Sequence, residues 1–275
     1  MRRARLDAVL VRRGLARSRD HAAELIAAAR VTVSGQTAAK PATAVDPGAP
    51  VVVKPDGADE NWASRGAHKL IGALDAFTDV TVAGKRCLDA GASTGGFTDV
   101  LLRRGANQVV AVDVGYGQLI WRLQNDEKVQ IHDRTNVRTL TPAAIGGPAE
   151  LTVSDLSFIS LRLVLPALIA CTVPTGDLVL MVKPQFEVGR DRLGAGGVVR
   201  DPALRADAVA GVVDTAAALG WGLTGVAASP LPGPSGNVEY FVHLRTDARV
   251  AVADGAADEA EVRGRITSAV TKGPQ

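Results

Sequence analysis

Apolar positions recur at helical spacing from the start of the chain. Leu6 to Arg13 predicts a short helix stopped by Gly14, and Ser18 caps a second over 19–29, with Ala22, Leu25, Ile26 and Ala29 on one face. The period then becomes alternating. Val31-Thr32-Val33, a Ser34-Gly35 turn, Thr37 onward and Val51 to Val53 predict a small sheet. Pro41, Pro47, Gly48, Pro50, Pro55 and Gly57 interrupt any regular pattern after it. This break predicts a small amino-terminal domain over 1–56, a linker over 57–64 and a larger domain over 65–275. Trp62, in the junction, reads better as a pin on the larger domain than as a base-stacking surface.

The larger domain opens on a predicted helix over 64–77, with Leu70, Ala73, Leu74 and Phe77 on its apolar face and Lys69 beside them. An apolar run through Leu88 follows, then a turn crowded with Asp89, Gly91, Gly95 and Gly96, then helical spacing from Phe97 to Leu102. Further strands are predicted over 108–112, 129–131, 150–154 and 178–182, ending at Asp113, near Asp133, at Asp155 and at Lys183. Helical stretches intervene, notably 158–171. A helix over 203–219, a strand over 221–227, a Pro/Gly turn over 229–236 and a last strand over 238–244 complete the pattern, with a helix over 256–270 as the tail. In the last strand, alternation puts Glu239 on the face opposite Val238 and Tyr240. Alternating strands and helices predict an α/β fold whose mostly parallel sheet carries its site beyond the strands' carboxyl ends, where Asp113, Asp133, Asp155 and Lys183 converge.

The glycine turn narrows the ligand. A dinucleotide fingerprint needs G-x-G-x-x-G, but Ala92 and Ser93 follow Gly91 and the next glycines are Gly95 and Gly96. A phosphate-cradling loop needs Gly-Lys-Ser/Thr, but Phe97 follows Gly96. What remains is D-x-G-x-x-x-G-G, with an acid, Asp113, on the order of 20 residues further on, where a carboxylate can accept from ribose hydroxyls. This fits the S-adenosylmethionine (SAM) site of a Rossmann-like methyltransferase, or a structural turn in another α/β protein.

Charge adds a partner. The net charge is only +2, but residues 1–30 hold eight arginines against three acids, an excess of five positive charges that leaves the rest of the chain acidic. Such asymmetry points to a polyanion at the amino-terminal end, most simply nucleic acid, or to a solvated basic face. Cys87 and Cys171 lack metal-ligand spacing and read as free thiols of a cytoplasmic protein, with no metal expected. No apolar run approaches the length of a membrane span.

The string RLDAVLVRRGLARSRDHAAELIAAARVTVSG resembles the RNA-binding domain named after small-subunit ribosomal protein S-four, a small α+β fold, over about the first fifty residues. Arg5, Leu6, Asp7, Gly14, Ser18, Arg19, Ala22, Ile26, Val31, Val33 and Gly35 stand at matching places. Ala29 stands where that family usually has glycine, and Ser34 where it has asparagine. The first departure strains the helix end if the position needs φ > 0. Arg3, Arg5, Arg17, Arg19 and Arg65 are the expected RNA contacts.

Four polar residues complete the chemistry. In SRGAHKL, VSDLSFIS, LMVKPQFEVG and GNVEYF, the residues Lys69, Asp155, Lys183 and Glu239 match the Lys-Asp-Lys-Glu set of the FtsJ-like RNA ribose 2′-O-methyltransferases. With the amino-terminal domain, the chain resembles the TlyA family over nearly its full length. The resemblance implies SAM as cofactor, ribosomal RNA or ribosomal subunits as partner, and cytidine 2′-hydroxyls as acceptors, in 16S and, in some members, 23S RNA. It implies that the backbone at Gly91, Ala92, Ser93, Gly95, Gly96 and Phe97 approaches the cofactor, with Asp113 on its ribose and Asp133 on its adenine amine, while Asp89 supports the turn. It also implies that Lys183 is the base, that Asp155 positions it, that Lys69 tunes its charge and that Glu239 orients the substrate or Lys69. A neutral lysine suits the task, because a ribose hydroxyl needs alignment and one proton acceptor. Burial and a neighbouring ammonium favour the neutral amine; a carboxylate opposes it and orients it. Some members carry the label haemolysin, but nothing in the pattern supports a pore. A SAM enzyme acting on another substrate and a non-catalytic RNA-binding or assembly factor are the rival readings.

Overall fold

The computed structural model describes residues 4–16, 18–46, 48–54, 62–233, 235–246 and 256–273. It divides into two compact units, Met1–Asn61 and Trp62–Gln275.

In the first unit, β1 (Ala4–Arg5) leads into α1 (Leu6–Arg12) and α2 (Arg19–Ala27), followed by β2 (Val31–Val33), β3 (Gln36–Thr37), β4 (Ala44–Val45) and β5 (Val51–Val53). β2 lies between β3 and β5, and β1 pairs with β4, all antiparallel. Ser18 caps α2, its Oγ accepting from His21 N–H at 3.1 Å. Leu6, Val9, Leu10, Ala22, Leu25, Ile26 and Val31 form the core, each helix burying one stripe. α2 ends two residues earlier than its apolar face suggests, because Ala29 adopts φ +56°. Ser34 is likewise at φ +49°. A left-handed conformation costs a Cβ-bearing residue roughly 1–2 kcal/mol, part of which glycine returns as unfolded-state entropy. Ala29→Gly is therefore expected to stabilise this unit by about 1 kcal/mol. A higher midpoint of its unfolding transition, followed by amide exchange in β2 and β5, checks this; an unchanged midpoint counts against strain at Ala29.

The second unit comprises α3 (Gly66–Ala76), β6 (Arg86–Ala90), α4 (Gly96–Arg103), β7 (Gln108–Val112), α5 (Trp121–Gln124), β8 (Val129–His132), β9 (Ala149–Ser154), α6 (Leu161–Ala170), β10 (Thr172–Val182), α7 (Pro184–Glu187), α8 (Pro202–Ala218), β11 (Gly222–Ala228), β12 (Tyr240–Arg245) and α9 (Ala256–Lys272). Its seven strands run in the order β11-β12-β10-β9-β6-β7-β8. β10, β9, β6, β7 and β8 are mutually parallel, whereas β12 is antiparallel to both its neighbours. Each face buries its own core. Leu88, Val110, Leu165, Leu180, Val209 and Tyr240 pack on one side, and Leu70, Leu74, Phe97, Val109, Val179 and Phe241 on the other. Trp62 packs against the second of these cores, with the Arg103 guanidinium 4.0 Å from its ring centroid, so it does pin the start of this unit.

Two predicted boundaries move for identifiable reasons. β10 begins at Thr172 instead of Leu178, because a register shift between Thr172 and Asp177 carries the strand through a polar stretch that breaks the apolar run. α6 begins at Leu161 instead of Phe158. Ser160 caps it, and Phe158 sits at φ +64°, outside any right-handed helix.

Candidate active site

The sheet has one topological switch point. The chain runs outward from β6 through β7 to β8, then returns to place β9 on the other side of β6. Ligands of open α/β sheets bind outside the strands' carboxyl ends at such a point. Ala90 and Ser154 are paired across it, so Gly91 and Asp155 follow at the same level, and Asp155 N–H donates to Ala90 O at 3.2 Å. Further along the sheet, Val182 pairs with Tyr240, which brings Lys183 and Glu239 to the same edge.

Gly91 must be glycine. Its φ is +91°, and a Cβ there would lie 2.8 Å from Asp155 O. Gly95, at φ +99°, is crowded by Leu123 and Leu119 from the α5 region. These close approaches leave a crevice of two adjoining cavities. The first, about 450 Å³, is bordered by Ser93, Asp113, Gln118, Asn136, Leu156 and Phe158. The second, about 220 Å³, is bordered by Ser64, Lys69, Thr94, Phe97, Asp155 and Lys183. Gly91, Ser93, Asp155 and Ser157 line both. A larger open groove of about 730 Å³ lies at the opposite end of the sheet, beside Phe77 and Arg265. None of the predicted site residues lines it, and its buried His243 bonds Asp177 at 2.9 Å, so size alone does not locate the site.

Three of the predicted catalytic residues, Lys69, Asp155 and Lys183, line the smaller cavity, and the fourth, Glu239, is buried behind Lys69. Lys69, on α3, donates to Glu239 Oε2 at 2.6 Å and lies 4.0 Å from Asp155 Oδ2. The other Asp155 oxygen is 2.5 Å from Lys183 Nζ, which also donates to Ser157 Oγ at 2.8 Å. The side chains of Lys69, Lys183 and Glu239 are 8%, 7% and 0% exposed, against 23% for Asp155. Glu239 faces α3 as the alternation requires. It precedes β12 instead of lying within it, and Phe241, two residues on, packs on the α3 side while Val238 and Tyr240 pack on the other. Between its two predicted partners, Glu239 takes Lys69.

Asp113, just beyond β7, has both oxygens anchored by backbone donors: Ser93 N–H at 2.8 Å and Gly115 N–H at 2.7 Å. Its carboxylate thereby ties the glycine turn to the neighbouring loop while bordering the larger cavity. Asp133 is placed differently. Its Oδ2 accepts from Gly117 N–H at 2.8 Å, shaping that loop, and it lines neither cavity. Asn136 borders the larger cavity instead. Of the predicted arginines, Arg5 is bonded to Asp7 at 2.8 Å, and this hydrogen bond holds the Asp7 carboxyl below its usual range. Arg19 is exposed at the start of α2, and exposed Arg65 precedes α3 beside the cavity-lining Ser64 and Gly66. Arg3 and Arg17 lie outside the described residues.

Asp89 supports the turn, accepting from Thr98 Oγ1 at 2.7 Å. Its other oxygen is buried without a hydrogen-bond partner among the described residues. Burial pushes its carboxyl up to about 7, with Asp155 and Asp113 adding smaller repulsions and Thr98 opposing. A carboxyl raised in the folded state holds its proton more tightly there than in the unfolded chain. The stability linked to that proton is complete below pH ~4 and is lost as pH rises to about 7. Asp89→Asn is therefore expected to be more stable than the parent at pH 8 by on the order of 2 kcal/mol. The gap should close towards pH 4, and urea unfolding at both values checks it; a gap independent of pH contradicts it.

Sequence reasoning missed Ser157, Asn136 and Glu187. Glu187, on α7, accepts from Ser160 Oγ at 2.6 Å and Leu161 N–H at 2.7 Å, clamping the loop after Asp155 to the segment after Lys183. Both contacts span more than twenty residues, and no local pattern announces them.

A switch-point crevice with a glycine turn and a buried lysine–carboxylate cluster defines a Rossmann-like methyltransferase, and the FtsJ-like methyltransferase family profile matches residues 62–246. The S4 domain profile matches residues 4–51. Over 273 residues the chain is 59% identical to the 16S/23S rRNA (cytidine-2′-O)-methyltransferase TlyA of Mycobacterium tuberculosis, covering 99% of both chains. It is 33% identical to Hemolysin A of Brachyspira hyodysenteriae, over 87% of this chain and 99% of that one. A solved hemolysin-named protein of Streptococcus thermophilus superposes with a TM-score of 0.73 at 36% identity, covering 99% of this chain and 98% of that chain. The chain belongs to the TlyA family of FtsJ-like methyltransferases with an amino-terminal S4 domain. Among the described residues no helix is long and apolar enough to cross a membrane.

Proposed function

We propose that this protein methylates the 2′-hydroxyl of cytidine in ribosomal RNA, in the cytoplasm, with SAM as methyl donor. The carrying observation is the Lys69–Asp155–Lys183–Glu239 cluster at the wall of the switch-point crevice, in a chain that shares 59% of its residues with a protein named for this reaction on 16S and 23S RNA. SAM fits the residues present. The glycine turn admits a ligand close to the backbone, in a cradle that a Cβ at Gly91 would fill, and the Asp113 carboxylate borders the larger cavity, where it can accept from ribose hydroxyls. When bound, SAM supplies an activated methyl group.

The chain's own residues supply alignment and a proton acceptor. Lys183 is the base, and it takes the hydroxyl proton in its neutral form. Asp155 fixes the direction of that amine and, after proton transfer, stabilises the ammonium at 2.5 Å. Lys69 brings a second cation to the other Asp155 oxygen, and Glu239 holds Lys69 in place. Asp133 acts in this reading by shaping the 115–117 loop beside the adenosine end of the crevice. In the first unit, Arg3, Arg5, Arg17 and Arg19 contact phosphates, which set register and carry no sequence information, and Arg65 does so beside the crevice. The acceptor nucleotide enters drawn out of its stack.

Release of S-adenosylhomocysteine by the purified protein, with and without ribosomal subunits, tests this reading. Turnover dependent on RNA supports it; turnover on small molecules alone, or none with any RNA, contradicts it.

A further inference from the structure

A lysine that acts as a base offers one lone pair and two N–H bonds. Rotation about its last C–N bond spreads the lone pair over three staggered directions unless both hydrogens are engaged. Around Lys183 two acceptors stand within reach, Asp155 Oδ1 at 2.5 Å and Ser157 Oγ at 2.8 Å, and Lys183, Asp155 and Ser157 all border the smaller cavity. The Asp155 contact is an ion pair without hydrogen-bond geometry, so it holds the nitrogen in place without fixing a hydrogen. The hydrogen bond to Ser157 is what sets the turn of the amine.

We propose that Ser157 is a positioning residue of the methyl transfer: by accepting a Lys183 hydrogen while Asp155 holds the nitrogen, it aims the amine's lone pair at the 2′-hydroxyl. This deepens the reading above and rests on it. The loop bearing Ser157 is built to hold it. Glu187 clamps Ser160 and Leu161, Phe158 is held at φ +64° with its ring 5.4 Å from that of Phe186, and the segment between Asp155 and α6 is thereby tied to the one that follows Lys183. In the step, the hydroxyl proton moves to the Lys183 lone pair as the oxygen–methyl bond forms and the methyl–sulfur bond breaks. The sulfur keeps that bonding pair, and the ammonium then donates to Asp155, Ser157 and the product oxygen.

Ser157→Ala is expected to lower kcat about tenfold or more and leave KM for SAM and RNA within about twofold. Ser157→Thr, which keeps the hydroxyl, should restore kcat to within a few fold of the parent. Unchanged kcat in Ser157→Ala overturns the proposal, as does a Ser157→Thr variant no faster than Ser157→Ala, or a raised KM for SAM, which would make Ser157 a cofactor contact. Absence of methyl transfer to RNA by the unaltered protein would instead place the failure in the functional reading.

Discussion

Replacing Lys183 by alanine is expected to lower methyl transfer by roughly a thousandfold while leaving SAM and RNA affinity within about threefold, because a positioned base contributes 10²–10⁴ and no other amine occupies its place. Lys69, the nearest candidate, is 8% exposed and bonded to Glu239 at 2.6 Å, so it reaches Asp155 from the other side and is not free to substitute. The fold should survive with some loss of stability, because the buried Asp155 Oδ1 loses Lys183 while Oδ2 keeps Lys69 at 4.0 Å. Calorimetric SAM binding and filter-bound RNA complexes separate lost chemistry from lost binding. Near-parental turnover would remove Lys183 from the mechanism.

Glu239→Ala should behave differently, with a loss of stability as well as of activity. Its carboxylate is fully buried and is the close partner of a lysine that is itself nearly buried. Removing one member of such a pair strands the other, at a cost of about 3 kcal/mol. The neighbouring sulfur of Met181, 4.0 Å from Lys69 Nζ, offers little compensation. The double variant Lys69→Met/Glu239→Ala removes both charges and fills the space with an apolar chain, and it should recover most of the lost stability. It should not recover turnover. Chemical denaturation and single-turnover assays on both variants therefore distinguish a purely structural ion pair, for which the double variant would be active, from a pair that sets the charge around Asp155 and Lys183.

The parts of this site that were legible in the sequence are those written in local pattern. The D-x-G-x-x-x-G-G turn needs glycine where the backbone meets Asp155, and strand periodicity placed Asp113, Asp155 and Lys183 at strand ends. The period-two alternation put Glu239 on the face where α3 and Lys69 are found. In the first unit, the departure at Ala29 foretold a positive φ that the structure has. What stayed hidden depends on partners distant in sequence. Strand order, including the antiparallel insertion of β12 between β10 and β11, leaves no mark on any one strand's pattern. Asp133 lines neither cavity, and a loop amide, Gly117 N–H, captures its side chain. Ser157 and Glu187 are unremarkable in composition, and they gain meaning only when the chain after β9 folds against the chain after β10.

The most direct test is transfer of labelled methyl from SAM to intact ribosomal subunits and to naked ribosomal RNA, followed by alkaline digestion. A 2′-O-methyl group removes the hydroxyl that would attack the adjoining phosphate, so ribose methylation should leave the label in an uncleaved dinucleotide. Label released in mononucleotides would mean methylation of a base and would contradict the role given to Lys183.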